Sequence, residues 1–132
     1  DVAGQLERVT NFINPLLDAG IVVSLFIDPT KEQVQAAAKT GAQFIEMHTG
    51  TYSETYGTAR EEEEFLNLKN AATLAQSLGL KVNAGHGLNY ENVHRMHEIE
   101  GLYELNIGHS IISRAVFTGL PEAVQKMADL IK

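Results

Sequence analysis

The chain has 132 residues, 44% of them hydrophobic, and carries a formal net charge of −7 with ten Lys and Arg scattered along it. This length can bury one core, so we expect a single domain over residues 1–132, and the acidic balance excludes a basic surface for nucleic acid. The absence of cysteine excludes disulfides and thiolate metal sites, and the lack of a membrane-length apolar run or a signal pattern predicts a cytoplasmic protein with no membrane partner.

Four short apolar runs rich in β-branched residues predict buried strands. They cover residues 21–28, 43–49, 80–85 and 103–108. Helical patterns flank these runs, and the capping-box spacing of Thr30 with Gln33 and of Thr58 with Glu61 predicts where two helices begin. The alternation of helix and strand predicts an α/β fold in which right-handed crossovers join parallel strands.

The segments between the strands carry expectations of their own. The pattern over 59–78 predicts an amphipathic helix whose acidic run, 61–64, is a solvated helix start and not a metal site. Residues 51–56 are predicted as a loop, either a lid or an ordinary surface loop, and His94 and His97 as surface residues of a helix. The last helix is predicted to begin at Leu120 and Pro121 and to turn four residues inward. They are Val124, Met127, Ala128 and Ile131.

The alternation within the strands favours a barrel over an open sheet. Glu46 and His48 alternate with the aliphatic Ile45 and Met47, and the other strands repeat this pattern of one aliphatic and one polar face. Strands of an open sheet covered by helices on both sides have two apolar faces, whereas the inner face of a barrel can carry a polar site. The sequence predicts four βα units, half of a (β/α)8 barrel of the TIM type, with a small flavodoxin-like open sheet as the alternative.

Two glycine-containing segments at strand ends predict binding of phosphate and movement of a proton. The turn at Gly108 and His109 leads from the fourth strand into a helix, whose free amides and dipole favour an anion. His86 stands between two glycines, so its imidazole can project into a site and exchange protons near neutral pH. The alternative is a histidine in an ordinary glycine-rich turn.

Glu46 on an inner strand face can stabilise a cationic intermediate or orient an imidazole. The alternative is a buried Glu paired with an Arg of an earlier strand, which this chain does not contain. Glu46, His48, His86 and His109 together could bind a metal, but none of their spacings is typical of a metal site. Another phosphate-binding barrel enzyme, an isomerase or an aldolase, remains open, as does a flavodoxin-like binding module. An aldolase would need an inner lysine, and Lys81 at the start of its strand is poorly positioned for that.

Four strings carry a family resemblance that covers essentially the whole chain. They are VSLFID (23–28), FIEMHTG (44–50), KVNAGHGL (81–88) and ELNIGHSII (104–112), and the opening DVAGQ (1–5) is similar as well. These strings resemble the pyridoxine 5′-phosphate synthase family of vitamin B6 biosynthesis, whose fold is a TIM barrel. The last two strings together are highly specific for that family.

The resemblance implies condensation of 1-deoxy-D-xylulose 5-phosphate with 3-amino-2-oxopropyl phosphate, giving pyridoxine 5′-phosphate, phosphate and water, with no metal or organic cofactor. It implies that His86 is the proton donor and that Glu46 stabilises the transition state. It further implies that Gly87 contacts the deoxyxylulose phosphate and that Gly108 and His109 hold the other substrate. A homo-octamer is also implied.

The same resemblance implies that this chain is the carboxyl-terminal half of such an enzyme. It begins at Asp1 without Met, and the family's first four strands, with their catalytic His and Glu bases, have no counterpart in it. We therefore expect the chain alone to be inactive. We also expect its strand edges near Ile21 and Asn106 to pair with the missing half or with another chain.

Overall fold

The computed structural model describes all 132 residues as one sheet with helices. The strands are β1 (Ser24–Ile27), β2 (Phe44–Met47), β3 (Lys81–Ala84) and β4 (Leu102–Leu105). The helices are α1 (Leu6–Asp18), α2 (Lys31–Lys39), α3 (Gly50–Thr55), α4 (Glu61–Ser77), α5 (His109–Thr118) and α6 (Leu120–Leu130), with 3₁₀ turns at Ala3–Gln5 and Val93–Glu98. All four predicted strands are confirmed, each shorter than its apolar run. None of the helices combines the length and apolarity needed to cross a membrane.

The order of the strands separates the barrel from the open-sheet alternative. All neighbouring strands pair in parallel and lie in chain order, β1-β2-β3-β4. A flavodoxin-like sheet reverses direction after its second strand and has helices on both faces. Strands that advance in one direction through right-handed crossovers keep their helices on one face, as in a barrel. The flavodoxin-like alternative is therefore wrong, because the sheet contains no reversal point.

The hydrophobic core lies between the outer face of the sheet and helices α2 and α4. Ile45, Met47, Val82 and Ala84 are fully buried on this face. They pack in one cluster with Val34 and Ala37 of α2 and with Phe65, Leu68, Ala72 and Ala75 of α4. The predicted stripe of the long helix is confirmed except at its end, where Leu78 is exposed. The polar residues of the strands consequently face the other side.

The connection from β3 to β4 departs from the predicted repeat. It contains the 3₁₀ turn Val93–Glu98 where a helix was expected, and His94 and His97 are exposed on it as predicted. Arg95 in this turn pairs with Glu61, Glu62 and Glu98 and lies 3.8 Å above the ring of Phe65. The acidic run at 61–64 is thus not only a solvated helix start, since two of its carboxylates fasten the turn to α4.

The structure corrects three further expectations. Residues 51–56 are not a loop: five of them belong to α3, and Tyr52 is buried against Phe65 with ring centroids 5.9 Å apart. Thr58 does not cap α4, which begins at Glu61 after Arg60, and the Glu61 carboxylate instead accepts a hydrogen bond from the Gly57 amide. On α6 the buried residues are Ala123 and Met127, whereas Val124 and Ile131 are exposed.

Thr30 caps α2 as predicted, by accepting a hydrogen bond from the Gln33 amide. The Gln33 side chain does not complete the capping box. Its carbonyl oxygen accepts a hydrogen bond from the Val2 amide at 2.8 Å, so it fastens the start of the chain to α2.

Candidate functional site

The candidate site lies at the carboxyl ends of the four strands. The loop after β3 and the turn after β4 line one cavity of about 390 Å³, which contains four of the five predicted site residues: His86, Gly87, Gly108 and His109. The fifth, Glu46, is joined to this cavity through Asn106, which also lines it. Parallel strands bring their carboxyl ends to one edge, so segments distant in sequence meet there.

One side chain holds the carboxylate of Glu46, and a second lies next to Glu46 in the sheet. Asn106 Nδ2 donates a hydrogen bond to Glu46 Oε2 at 2.7 Å across sixty residues of sequence. Glu46 pairs in register with Asn83, whose side chain is buried and whose Oδ1 has no hydrogen-bond partner in the chain. A fixed carboxylate beside an unpaired amide oxygen can recognise a donor or a cationic centre of a ligand.

Gly85 allows β3 and β4 to approach closely beneath this contact. A Cβ atom at Gly85 would lie 2.1 Å from the Asn106 carbonyl oxygen, a distance that no side chain can accept. The Asn106 amide donates to the Ala84 carbonyl at 2.8 Å at the same place. Gly85 therefore lets the Asn106 side chain come within reach of Glu46. This role is separate from any contribution of the glycine to loop flexibility.

The turn into α5 leaves backbone amides free at the place where the sequence predicts an anion site. Gly108 is the N-cap of α5, and no side chain accepts a hydrogen bond from the first turn. The amides of residues 109–111 have no partner four residues earlier within the helix, and the helix dipole adds positive potential there. Ser110 is committed elsewhere, since its hydroxyl donates to the Leu88 carbonyl at 2.9 Å and ties this turn to the His86 loop. Free backbone amides of a kind that can bind an anion thus line the same cavity as the exposed His86.

A cluster of three rings stands at the ends of β1, β2 and β3. The ring of His86 lies 5.2 Å from that of His48 and 6.2 Å from that of Phe26. His48 Nδ1 is 3.3 Å from Asp28 Oδ1, so the carboxylate orients this imidazole. The structure brings His48 and Asp28 to the same edge of the sheet as His86.

A larger cleft of about 690 Å³ lies outside the strand ends, between the β1–α2 loop and α4. It includes Asp28 and His48 but none of the five predicted site residues, and its Glu64 is already paired with Arg60. No group of three His, Cys, Asp or Glu side chains is arranged to hold a metal ion. The smaller cavity is the stronger candidate because it combines the free amides of a helix N-terminus with two histidines.

Sequence reasoning missed two buried polar residues around the site. Thr49 and Asn92 are fully buried, and both contact the backbone of the His86 loop. The sequence shows Thr49 only as a strand terminus and Asn92 only as one asparagine in a polar stretch. No spacing rule identifies them, because their partners are main-chain carbonyls.

A sequential parallel sheet whose polar groups gather at its carboxyl edge is the architecture of a (β/α) barrel, of which four strands are present here. The family model described as "Pyridoxal phosphate biosynthesis protein PdxJ" matches residues 1–132. The chain belongs to this family.

Curated relatives agree with the family model. The chain is 52% identical over 132 residues to a pyridoxine 5′-phosphate synthase of Geobacter sulfurreducens and 49% identical over 132 residues to one of Geotalea daltonii. It is 52% identical over 131 residues to that of Thermosynechococcus vestitus. These matches cover 99–100% of the chain but only 55% of each relative, so the chain spans about half the length of the curated relatives it matches.

Proposed function

We propose that a protein of the relatives' length containing this chain, called the full-length enzyme below, is a pyridoxine 5′-phosphate synthase. It condenses 1-deoxy-D-xylulose 5-phosphate with 3-amino-2-oxopropyl phosphate to pyridoxine 5′-phosphate, phosphate and water. The observation that carries this proposal is the shared cavity in which the α5 amino terminus faces the His86 loop. An anion site beside a proton-transferring side chain suits chemistry on two phosphorylated substrates.

Each site residue has a proposed role in this reaction. The amides at Gly108 and His109 bind the phosphate of the aminooxopropyl substrate, and Gly87 contacts the deoxyxylulose phosphate, because its backbone is open to a ligand. His86 donates a proton to a leaving oxygen. Glu46, fixed by Asn106, stabilises the positive charge that develops when the amine condenses with a carbonyl.

The remaining parts of the proposal concern assembly and location. Residues 1–132 act as one domain, the carboxyl-terminal half of the barrel, and β1 and β4 are the edges that the other half must pair. We propose a cytoplasmic homo-oligomer, an octamer by family resemblance, that needs no cofactor. Phe117 and Val116 of α5, 89% and 77% exposed, are apolar surface that such packing would cover.

The experiment is a steady-state assay of the full-length enzyme with both substrates, comparing wild type with His86→Ala. We expect turnover to fall by roughly 10²- to 10⁴-fold, since a positioned general acid contributes about that much, while binding of inorganic phosphate stays detectable. A matched control is His97→Ala, an exposed histidine of the 3₁₀ turn that does not line the cavity. Unchanged turnover in His86→Ala would remove it from the mechanism, and an inactive wild type would reject the proposed reaction.

An isomerase or an aldolase of the same fold is the second candidate, and the position of Lys81 argues against the aldolase. Its Nζ lies 5.1 Å from the ring centroid of Phe44 and 4.6 Å from that of Tyr103, at the opposite end of the strands from the site. A Schiff-base lysine must reach the substrate carbonyl. Borohydride trapping of the full-length enzyme with substrate would reveal a lysine adduct if the aldolase alternative were correct.

A further inference from the structure

We propose that Thr49 and Asn92 are positioning residues for His86, which they hold through the backbone of its loop. This inference rests on the proposed function, in which His86 transfers a proton. The two residues come from different connections, the β2–α3 junction and the end of the loop after β3. Each directs a side-chain polar group at a main-chain carbonyl of the glycine-rich segment.

Thr49 fixes the peptide that follows His86. Its Oγ1 donates a hydrogen bond to the His86 carbonyl oxygen at 2.5 Å, and the whole residue is buried. Thr49 comes directly after His48 at the end of β2, so the sheet determines where the hydroxyl stands. The strand that carries Glu46 therefore also leads to the residue that holds the peptide of His86. The Glu46 carboxylate and the His86 imidazole consequently keep a fixed position relative to each other.

Asn92 fixes the next peptide and closes the loop. Its Nδ2 donates to the Gly87 carbonyl at 3.4 Å, and its Oδ1 accepts from the Asn89 amide at 2.8 Å. The carbonyl of Asn92 accepts a hydrogen bond from the Tyr52 hydroxyl at 2.8 Å, and both residues are buried. Burial raises the pKa of the Tyr52 phenol, so it remains a donor at neutral pH. The loop is thereby attached to α3.

The loop needs such anchors because its own side chains provide few. His86 and Gly87 are exposed, and Gly87 has a φ of +85°. A glycine-rich segment has many accessible backbone conformations, and each would aim the imidazole differently. Proton transfer tolerates only small misplacement, and an error of about 1 Å can cost two orders of magnitude in rate.

The complete burial of Thr49 and Asn92 indicates that their hydrogen bonds, and not only their packing, are required. An unpaired hydroxyl or amide in a core is unfavourable, so a fully buried Thr and Asn persist where their hydrogen bonds are made. Apolar residues could fill the same volume if packing alone were required. The polar groups instead define the position of two consecutive carbonyls beside the proposed acid.

Thr49→Val in the full-length enzyme tests the inference, since it keeps the shape and removes the donor. We expect kcat to fall roughly 10- to 100-fold while KM for the aminooxopropyl phosphate stays within about twofold, because the amides at Gly108 and His109 proposed to bind it lie outside the His86 loop. Thr49→Ser retains the hydroxyl and should restore most of kcat. Thr55→Val is the matched control: its hydroxyl donates to the Thr51 carbonyl at 2.8 Å on the same helix, away from the loop, and kcat should be unchanged.

The outcomes separate this inference from the proposed function. Wild-type kcat in Thr49→Val, with His86→Ala inactive, would overturn the positioning role and leave the reaction intact. Equal loss in Thr49→Val and Thr49→Ser would also overturn it, since the hydroxyl would then be irrelevant. If Thr49→Val does not fold, Asn92→Asp decides: it keeps the acceptor for Asn89 and loses the donor to Gly87, and an unchanged kcat would reject the proposal.

Discussion

The two faces of the sheet use the same four strands and differ in how completely they are packed. On the outer face Ile45, Met47 and Val82 are fully buried beneath α2 and α4. On the inner face Phe26 is 56% exposed although Ile27, the next residue of β1, is buried, and Tyr103 of β4 is 57% exposed. Successive residues of a strand point to opposite faces, so this difference arises within single strands.

The difference separates the residues that maintain the fold from those available for chemistry. The outer face consists of aliphatic side chains that pack in one hydrophobic cluster with the helices. The inner face carries Glu46 and Asn83, with hydrogen bonding that is only partly satisfied within the chain. A face of this kind is stable only in contact with water, a ligand or further protein. The comparison therefore predicts separable effects on stability and on activity.

Truncation of one residue on each face gives the largest expected contrast. Ile45→Ala should lower the free energy of unfolding of the chain by about 2–5 kcal/mol, because it leaves a cavity in a close-packed core. Phe26→Ala removes a larger side chain but should cost less than about 1 kcal/mol, since that ring is mostly exposed. Urea unfolding of both variants measures the contrast. Equal losses would mean that the inner face also contributes to the core.

The faces could be predicted from sequence because their cause is local. The alternation of Glu46 and His48 with Ile45 and Met47 identifies the inner face by period two alone. The alternation does not give the strand order, which depends on crossovers of unequal length, including one built on a 3₁₀ turn. The α3 segment was mistaken for a loop because its six residues are too few to show a helical period, and tertiary burial of Tyr52 stabilises it.

The candidate site, like the fold, could be predicted from the sequence only in part. The motifs around His86 and Gly108 indicate an anion and a proton site because their glycines and their positions at strand ends are visible in the sequence. The contact of Asn106 with Glu46 depends on a close approach of the two backbones at Gly85, where a Cβ atom would lie 2.1 Å from the Asn106 carbonyl oxygen. No linear sequence pattern shows such an approach. The contacts of Thr49 and Asn92 with the backbone cannot be predicted from sequence for a related reason. Their acceptors are main-chain carbonyls, which every residue type carries.

Removal of Asn106 should have an intermediate effect and should affect activity alone. Asn106→Ala deletes the donor to Glu46, and a hydrogen bond to a charged group is worth about 1.5–3 kcal/mol, so kcat should fall roughly 10- to 100-fold in the full-length enzyme. The free energy of unfolding should change by less than about 0.5 kcal/mol because Asn106 is exposed. Assays and urea unfolding of one preparation measure both.

Asn11→Ala provides the reference for this variant, since Asn11 is an exposed asparagine of α1 and does not line the site cavity. It should leave kcat unchanged. A destabilised Asn106→Ala protein with normal kcat would contradict the assignment of this residue to the functional face.

The smallest expected effect concerns the ion pairs that fasten the 3₁₀ turn to α4 on the outer side. Hydrogen bonds from Arg95 lower the pKa of the Glu98 carboxyl, and the Gly57 amide, followed by Arg95, lowers that of Glu61. A lowered folded pKa stabilises the fold fully above the ordinary carboxyl value of about 4.3, and this contribution is lost as the pH falls through the lowered values. Below that range only the contact of Arg95 with Phe65 remains.

Arg95→Met should therefore lower Tm most at pH 7, and the gap to wild type should narrow as the pH falls from 5 to 3 without closing. Arg60→Met removes a single ion pair, from the N-cap of α4 to Glu64 in its first turn, and should cost less at pH 7 because it joins no second element. Thermal unfolding across this pH range measures both variants. If the difference in Tm between Arg95→Met and wild type stays constant or widens on acidification, Arg95 acts through packing. The outer face would then be stabilised by apolar contacts alone.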